Sequence, residues 1–293
     1  MNRGAGPDIA RKRWPGIVAL PLAVVIALLV SASGALAWSA LIGLNLHYRP
    51  DLPWSAPAML GVMALVWAYF AGLGPPVGFR KARKSLSRIN WPTPSVWRLA
   101  APASALTAAS ILAVWFAALR LGHFSPADFH APSMIVGRDL SLVLCGLVMT
   151  AAVAGFFEEL AYRGILQTTI QRRLGPTVAV LLSAVLFYAV HLRYGWASGD
   201  ASKAAASGIS ILWAGIALGV LTYCAGSIWP AVFAHTLTDL ASLSAEWKLG
   251  WTYDVSPVPS GGDPQLFLVS AIAAASLVSL AVLFPRLAAR GTQ

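Results

Sequence analysis

Glu158, Glu159 and Arg163 fall within six residues of one another, inside an apolar run that begins near Leu140 and continues through Leu166. An ionisable group at bilayer depth costs on the order of 2.5–3.5 kcal/mol, so three of them together need a reason. On a helix, Glu159 and Arg163 are four apart and share a face in the favourable acid-first order. Glu158 lies about 100° round from its neighbour. One guanidinium does not easily neutralise two carboxylates. An acid left without a partner in a dry site is a candidate general base.

Three more ionisable residues interrupt apolar runs: His191, His235 and Asp239. Phe187 and His191 are four apart, as are His235 and Asp239, so each pair projects from one helix face. Glu158 lies 17 residues before Gly175 and His191 lies 16 after it. Gly175-Pro176 is a stop-and-restart signal, and in an antiparallel helical hairpin positions equidistant from the turn are level. Glu158 and His191 are therefore expected to meet. His235 is close to the start of its own run, which places the inferred site in the cytoplasmic half of the membrane, with the polar hairpin tip Gln167–Arg173 protruding.

Two routes to hydrolysis fit these groups. Glutamate and histidine can take a proton from water and later deliver it to a leaving amine, while a second histidine stabilises an oxyanion. Alternatively, Glu158, His191 and His235 are three ligands of a catalytic zinc with an open water position. Neither H-E-x-x-H nor G-x-S-x-G occurs. The bland alternative for Glu159–Arg163 and for His235–Asp239 is a pair of buried structural ion pairs.

The elements that must position these residues follow from composition. The chain has 293 residues, 58% hydrophobic and 11% charged, with a mean hydropathy of +0.70. Soluble domains carry about a quarter charged residues, so the chain reads as a polytopic membrane protein. Eight apolar runs are expected to be transmembrane helices: Gly16–Leu46, Ser55–Gly78, Leu99–Leu121, Leu140 onward, Thr177–Leu192, Gly208–Cys224, Trp229–Ala245 and Gln265–Phe284, the last closed by Pro285. Ala35-Leu36-Ala37 resembles a signal-peptide cleavage site, but the first run continues past it, which favours a retained anchor. Asp139 is a plausible cap for the fourth run. Gly215 and Gly219 have the spacing that lets two helices approach closely in lipid.

The net charge of +10 is a topology signal rather than a nucleic-acid one. With the N-terminus inside, 14 of the 21 Lys and Arg fall in cytoplasmic pieces and 5 in outer pieces, the bias of cytoplasmic loops. The strongest element is the loop holding Arg80, Lys81, Arg83, Lys84, Arg88 and Arg98 without an acid. His123, Asp128 and His130 read as a solvated loop, since nothing near them supplies a third metal ligand. Cys145 and Cys224 read as small core residues. Three regions are expected: 1–139 with the tail and three helices, a catalytic core at 140–245, and 246–293 with the last helix and a basic tail.

Glu158-Glu159-Leu-Ala-Tyr-Arg163 matches E-E-x-x-x-R, Phe187-Tyr-Ala-Val-His191 matches F-x-x-x-H, and His235-Thr-Leu-Thr-Asp239 matches H-x-x-x-N/D. In this order the motifs resemble the CAAX-protease and bacteriocin-processing (CPBP, Abi) family of intramembrane endopeptidases, which includes the prenyl-protein Ras-converting protease. The resemblance covers about Leu140 to Ala245. It implies an eight-helix, all-α membrane fold with the site opening toward the cytoplasm, and hydrolysis of membrane-associated protein or peptide substrates. By motif position Glu158 is the general base, His191 helps activate the water, and His235 with Asp239 forms the oxyanion site. Glu159, Arg163 and Phe187 are supporting residues. The family carries both a metalloprotease and a metal-free glutamate assignment, so the cofactor is zinc or none. Asp239 stands where the prenyl-protein proteases have asparagine. An ionised aspartate cannot donate to an oxyanion, so Asp239 would have to be protonated, ligate a metal, or orient His235 as a ring of fixed tautomer, the last being the reading favoured.

The expected protein is a multi-pass protease of the cell's inner (plasma) membrane, with both termini cytoplasmic, membrane lipid and a polypeptide as partners, and no nucleic acid. Two other classes compete: a non-catalytic immunity or partner-binding protein on the same scaffold, and a proton-coupled transporter.

Overall fold

The computed structural model describes residues 16–122, 138–196, 201–246 and 263–291. His123, Asp128 and His130, and the basic N-terminal tail, lie outside the described residues. Each of the eight apolar runs forms a helix. α1 spans Gly16–Tyr48, α2 Ser55–Phe70, α3 Arg80–Ser87, α4 Pro94–Leu121, α5 Leu140–Glu158, α6 Gln167–Leu174, α7 Pro176–Trp196, α8 Ala201–Ala225, α9 Trp229–Glu246 and α10 Pro264–Gly291. Between α5 and α6 the chain winds as a π-helical segment, Glu159–Leu166.

The protein is an all-helical polytopic membrane protein. Among the described residues, five helices are long and apolar enough to cross a bilayer: Val18–Tyr48, Pro94–Leu121, Leu140–Leu174, Ala204–Ala225 and Pro264–Gly291. Ser55–Phe70 and Pro176–Leu192 are shorter apolar helices. α9, which carries His235 and Asp239, is outside the five, because the same polar side chains that make it interesting dilute its apolar character.

Three boundaries differ from expectation. The basic connection after α2 is not an open loop but contains α3, whose Arg83 is buried and donates to the carbonyl oxygens of Tyr69, Pro76, Leu73 and Gly74. Pro285 does not end α10, which runs on to Gly291. Proline forfeits one backbone hydrogen bond, and the last turns are held by fully buried Leu287 and by Arg290 donating to the Ser95 carbonyl. Asp139 sits at the N-cap of α5 but makes no side-chain cap.

The helices pack around two main cores. One joins α4, α8, α9 and α10 through residues such as Ala100, Ala103, Leu218, Leu221 and Leu280. The other joins α1, α2, α5 and the start of α9 through Trp38, Met59, Phe156, Phe157 and Ile228. A third cluster seats the π-helical segment against α1 and α7 through Ala27, Tyr162, Leu166 and Phe187. The rod Leu140–Leu174 has 35 residues. At 1.5 Å per residue that is roughly 52 Å, well beyond a ~30 Å hydrocarbon core, so its α6 end protrudes. There Arg172 donates to the Ser85 carbonyl and Arg88 donates to Gln171 Oε1, tying α6 to the α3 segment.

Candidate active site

Glu158 ends α5, and Glu159 opens the π-helical segment. A π turn inserts an extra residue into the i→i+4 ladder and is found frequently at functional sites. Here Gln167 N–H donates to the Tyr162 carbonyl, five residues back. Within the widened turn Glu159 and Arg163 are both fully buried, with Arg163 Nη1 2.9 Å from Glu159 Oε1. The guanidinium also lies over the Phe187 ring, 4.3 Å from its centroid, and its Nη2 is 3.5 Å from the Gly215 carbonyl. A second buried side chain one turn on, Gln167, donates to the Gly219 carbonyl at 2.9 Å.

This is what the glycines of α8 do. A Cβ on Gly215 would meet Ala184 Cα at 2.9 Å, and one on Gly219 would meet Gln167 Oε1 at 2.9 Å. The small-residue spacing thus brings α8 close to α7 and to the polar rod, as expected for packing in lipid. Gln167 carried no sequence signal beyond being polar near an apolar run.

His191 comes from the second half of α7. Its Nδ1 is 2.8 Å from the Phe187 carbonyl oxygen. A carbonyl can only accept, so Nδ1 carries the proton and Nε2 faces the cavity as a lone pair when the ring is neutral. That Nε2 is 3.9 Å from Glu158 Oε2. The levelling of the α6–α7 hairpin therefore occurs, and Phe187 is the aromatic plate between the groups: its ring centroid is 4.5 Å from that of His191, 5.2 Å from Tyr162 and 6.2 Å from His235.

His235 and Asp239 come from α9, six and ten residues after Trp229. α9 crosses α5 closely at Gly155, where a Cβ would meet Thr236 Oγ1 at 2.5 Å and the Val232 carbonyl at 3.1 Å. His235 Nδ1 is 2.8 Å from Glu159 Oε1. Its Nε2 is 4.0 Å from Glu158 Oε2 and 3.5 Å from Asp239 Oδ2. The short contact that orients His235 is thus made by Glu159, on Nδ1. Asp239 sits on the other side of the ring, beside the cavity. The sequence assigned orientation to Asp239 because that pair is local in the chain, whereas Glu159 and His235 are 76 residues apart.

The structure brings together all seven residues singled out in the sequence. Glu158, His191, His235 and Asp239 line one cavity of about 480 Å³, together with Trp115 of α4 and Ser210 of α8. Glu158, His191 and Asp239 are 21–28% exposed to it and His235 is 9% exposed. Among the described residues no group of three or more His, Cys, Asp or Glu is arranged to hold a metal ion. The zinc set Glu158, His191 and His235 is therefore not preformed in this geometry. Chemically, the cluster presents a carboxylate about 4 Å from two imidazole Nε2 atoms, too far for direct hydrogen bonds and near enough for one water molecule to touch all three.

Residues 139–241 match the family model described as type II CAAX prenyl endopeptidase Rce1-like. No curated protein and no solved structure matches the chain. The matched stretch runs from the start of α5 into α9 and so contains all of the clustered side chains. Over residues 139–241, then, this chain carries a domain of the Rce1-like type II CAAX prenyl endopeptidase family, a family of proteases.

Proposed function

We propose that the protein is an intramembrane endopeptidase that cleaves membrane-associated protein or peptide substrates, with the catalytic core at 140–245 and Glu158 as its general base. The observation that carries this is the convergence of Glu158 Oε2 with the Nε2 atoms of His191 and His235, at 3.9 and 4.0 Å, on one cavity.

A lone pair on His191 Nε2 and the Glu158 carboxylate need a proton between them, which a water molecule supplies. Glu158 removes one proton from that water as its oxygen bonds to the scissile carbonyl carbon. The charge moves to the carbonyl oxygen. His235, protonated between Glu159 and Asp239, donates from Nε2 to that oxyanion. When the carbon–nitrogen bond breaks, Glu158 returns its proton to the leaving amine. Arg163 and Glu159 touch no reacting atom and are positioning residues. No step here runs through a metal.

The eight helices are proposed to cross the cell membrane with both termini cytoplasmic, on the strength of the basic bias. The direct test is Glu158→Gln in a membrane preparation cleaving a reporter substrate. We expect cleavage to fall by about 10²–10⁴-fold, the usual weight of a general base, with insertion and monodispersity unchanged. Wild-type rates that survive the substitution would sink the reading. Wild-type cleavage is also expected to persist after treatment with a chelator and gel filtration, with metal content followed by elemental analysis.

A further inference from the structure

α3 carries four cations in eight residues, Arg80-Lys81-Ala82-Arg83-Lys84-Ser85-Leu86-Ser87. Its two faces do different work. Arg83 and Ser87, four apart, are buried. Arg83 is spent on four carbonyl oxygens, and Ser87 Oγ donates to the Phe70 carbonyl. Lys81 and Lys84, three apart, are exposed on another face. Arg88 continues their row at the helix C-cap, with a left-handed backbone at φ +50°. The carbonyls of Arg88, Ile89 and Asn90 accept in turn from Ile228 N–H, Trp229 Nε1 and Ser227 Oγ. The row is therefore fastened to the bundle rather than carried on a free loop.

α6 brings a fourth cation into this row. Arg172 donates to the Ser85 carbonyl at 3.0 Å, the residue between Lys84 and Leu86. Arg88 Nη2 donates to the neutral amide of Gln171. Its Nη1 is buried and, among the described residues, has no hydrogen-bond partner. Burial first, and the neighbouring Arg172 charge second, lower the Arg88 guanidinium from its ordinary value, with Tyr223 acting the other way. Nothing of opposite sign offsets this crowding. Residues 71–98, 167–178, 220–230 and 284–291, which form this end of the bundle among the described residues, contain no Asp or Glu. Like charges held side by side are destabilising, and here backbone contacts keep them from splaying apart. The connections between helices at this end, 71–79, 88–93, 175 and 226–228, are all described; only the terminal residues 1–15 and 292–293 lie outside.

The flanks decide which anion fits. Val77 and Phe79, just before α3, and Leu174 and Val178, just past Arg172, are exposed. A row of cations bordered on both sides by apolar side chains, at the end of a membrane bundle, matches a lipid. Its phosphate meets guanidinium and ammonium groups, and its acyl chains meet the apolar border. A soluble phosphate would use the cations alone.

We propose that the seam between α3 and α6, made by Lys81, Lys84, Arg88 and Arg172, binds the headgroup of an anionic phospholipid. The lipid phosphate supplies the counter-charge that the chain lacks there. α6 is the end of the rod Leu140–Leu174, so the occupied seam also holds down the element that carries Glu158 and Glu159.

The test is lipid retention, which is read without a cleavage assay and so stands or falls apart from the protease reading. Full-length protein in a neutral detergent is equilibrated with mixed micelles holding equal amounts of phosphatidylglycerol and phosphatidylcholine of the same acyl chains. Retained lipid is counted by native mass spectrometry. The expected result is a several-fold preference for phosphatidylglycerol. Neutralising the seam with Lys81→Gln, Lys84→Gln and Arg172→Gln together should bring that preference close to unity. Lys81→Gln with Lys84→Gln alone, both exposed side chains, should lower it partway with the thermal midpoint unchanged. Arg98→Gln with Arg286→Gln, exposed cations of α4 and α10 at the same end, should leave it as it was. No preference in the wild type, an unchanged preference in the triple variant, or an equal loss in the Arg98 and Arg286 variant would each overturn the proposal. So would inorganic phosphate displacing the bound lipid as fully as the same concentration of added phosphatidylglycerol, which would make the seam a soluble-anion site.

Discussion

Glu159 shows how much one side chain can be asked to hold. Its Oε1 is 2.9 Å from Arg163 Nη1 and 2.8 Å from His235 Nδ1, and the carboxylate is fully buried. Removing one partner of a buried pair leaves an uncompensated charge, at about 3–5 kcal/mol. Arg163→Ala is therefore expected to destabilise the protein by about that amount, seen as a large fall in the thermal midpoint in detergent. Glu158→Gln should leave the midpoint unchanged, because among the described residues Glu158 makes no direct hydrogen bond and its nearest partners are 3.9 and 4.0 Å away. Opposite outcomes for two neighbouring glutamates would separate the positioning acid from the reacting one. A Glu158→Gln protein as unstable as Arg163→Ala would show instead that both acids are structural.

Helix packing sets the distances within which those side chains work. α5 and α9 touch at Gly155, where an added Cβ would fall 2.5 Å from Thr236 Oγ1 and 3.1 Å from a backbone carbonyl. The carbonyl belongs to α9 itself and cannot rotate away, so Gly155→Ala is expected to push α9 outward. Overpacking of this kind costs about 1–3 kcal/mol, and here it also lengthens the gap between Glu158 and His235. Lower cleavage accompanied by a modest fall in thermal midpoint would fit; an unchanged rate would mean that the α5–α9 approach does not set the chemistry. At the far end of the bundle, α4 and α10 are latched by Arg120 and Asp263, 2.6 Å apart and nearly fully buried. Burial by itself would raise the Asp263 carboxyl. The Arg120 guanidinium and the N–H groups of Leu266 and Gln265 outweigh that and hold it below the ordinary carboxylate value. A group with a lowered folded value contributes stability that is present above its unfolded value and is lost as pH falls through the folded one. The wild-type thermal midpoint should thus fall on acidification below the usual carboxylate range, and Asp263→Asn should remove that part of the pH dependence. An identical acid profile in the variant would remove the latch from the account.

Across the whole molecule, the exposed cations of α3, α6 and α10 surround one end, where Trp91, Phe79 and Val77 are also exposed. An amphipathic aromatic and basic rim of this kind suits the headgroup layer. The protruding α6 end packs into this rim through Arg88–Gln171 and Arg172–Ser85, so the rod that carries both glutamates is anchored at the interface. Glu158 lies near the middle of that rod, so the cluster it forms with His191 and His235 is carried by an element whose α6 end is fixed elsewhere.

Some of this was legible in the chain itself. Apolar runs bounded by Gly, Pro and basic clusters located eight of the ten described α-helices, five of them long and apolar enough to cross a bilayer, which demands internally bonded, apolar segments and tolerates few others. The same rule singled out the cluster: ionisable groups are so costly in lipid that Glu158, Glu159, Arg163, His191, His235 and Asp239 stood out against their surroundings. Local spacing even levelled Glu158 with His191. What spacing could not supply was any contact across distant elements. The π turn leaves no pattern in residue types, because a single inserted residue changes the hydrogen-bond ladder rather than the composition. The pairing of Glu159 with His235 and the seat of Gln167 on Gly219 both depend on how helices cross. Only the packed bundle decides them, since each arises from side chains far apart in sequence that become neighbours when apolar faces close together.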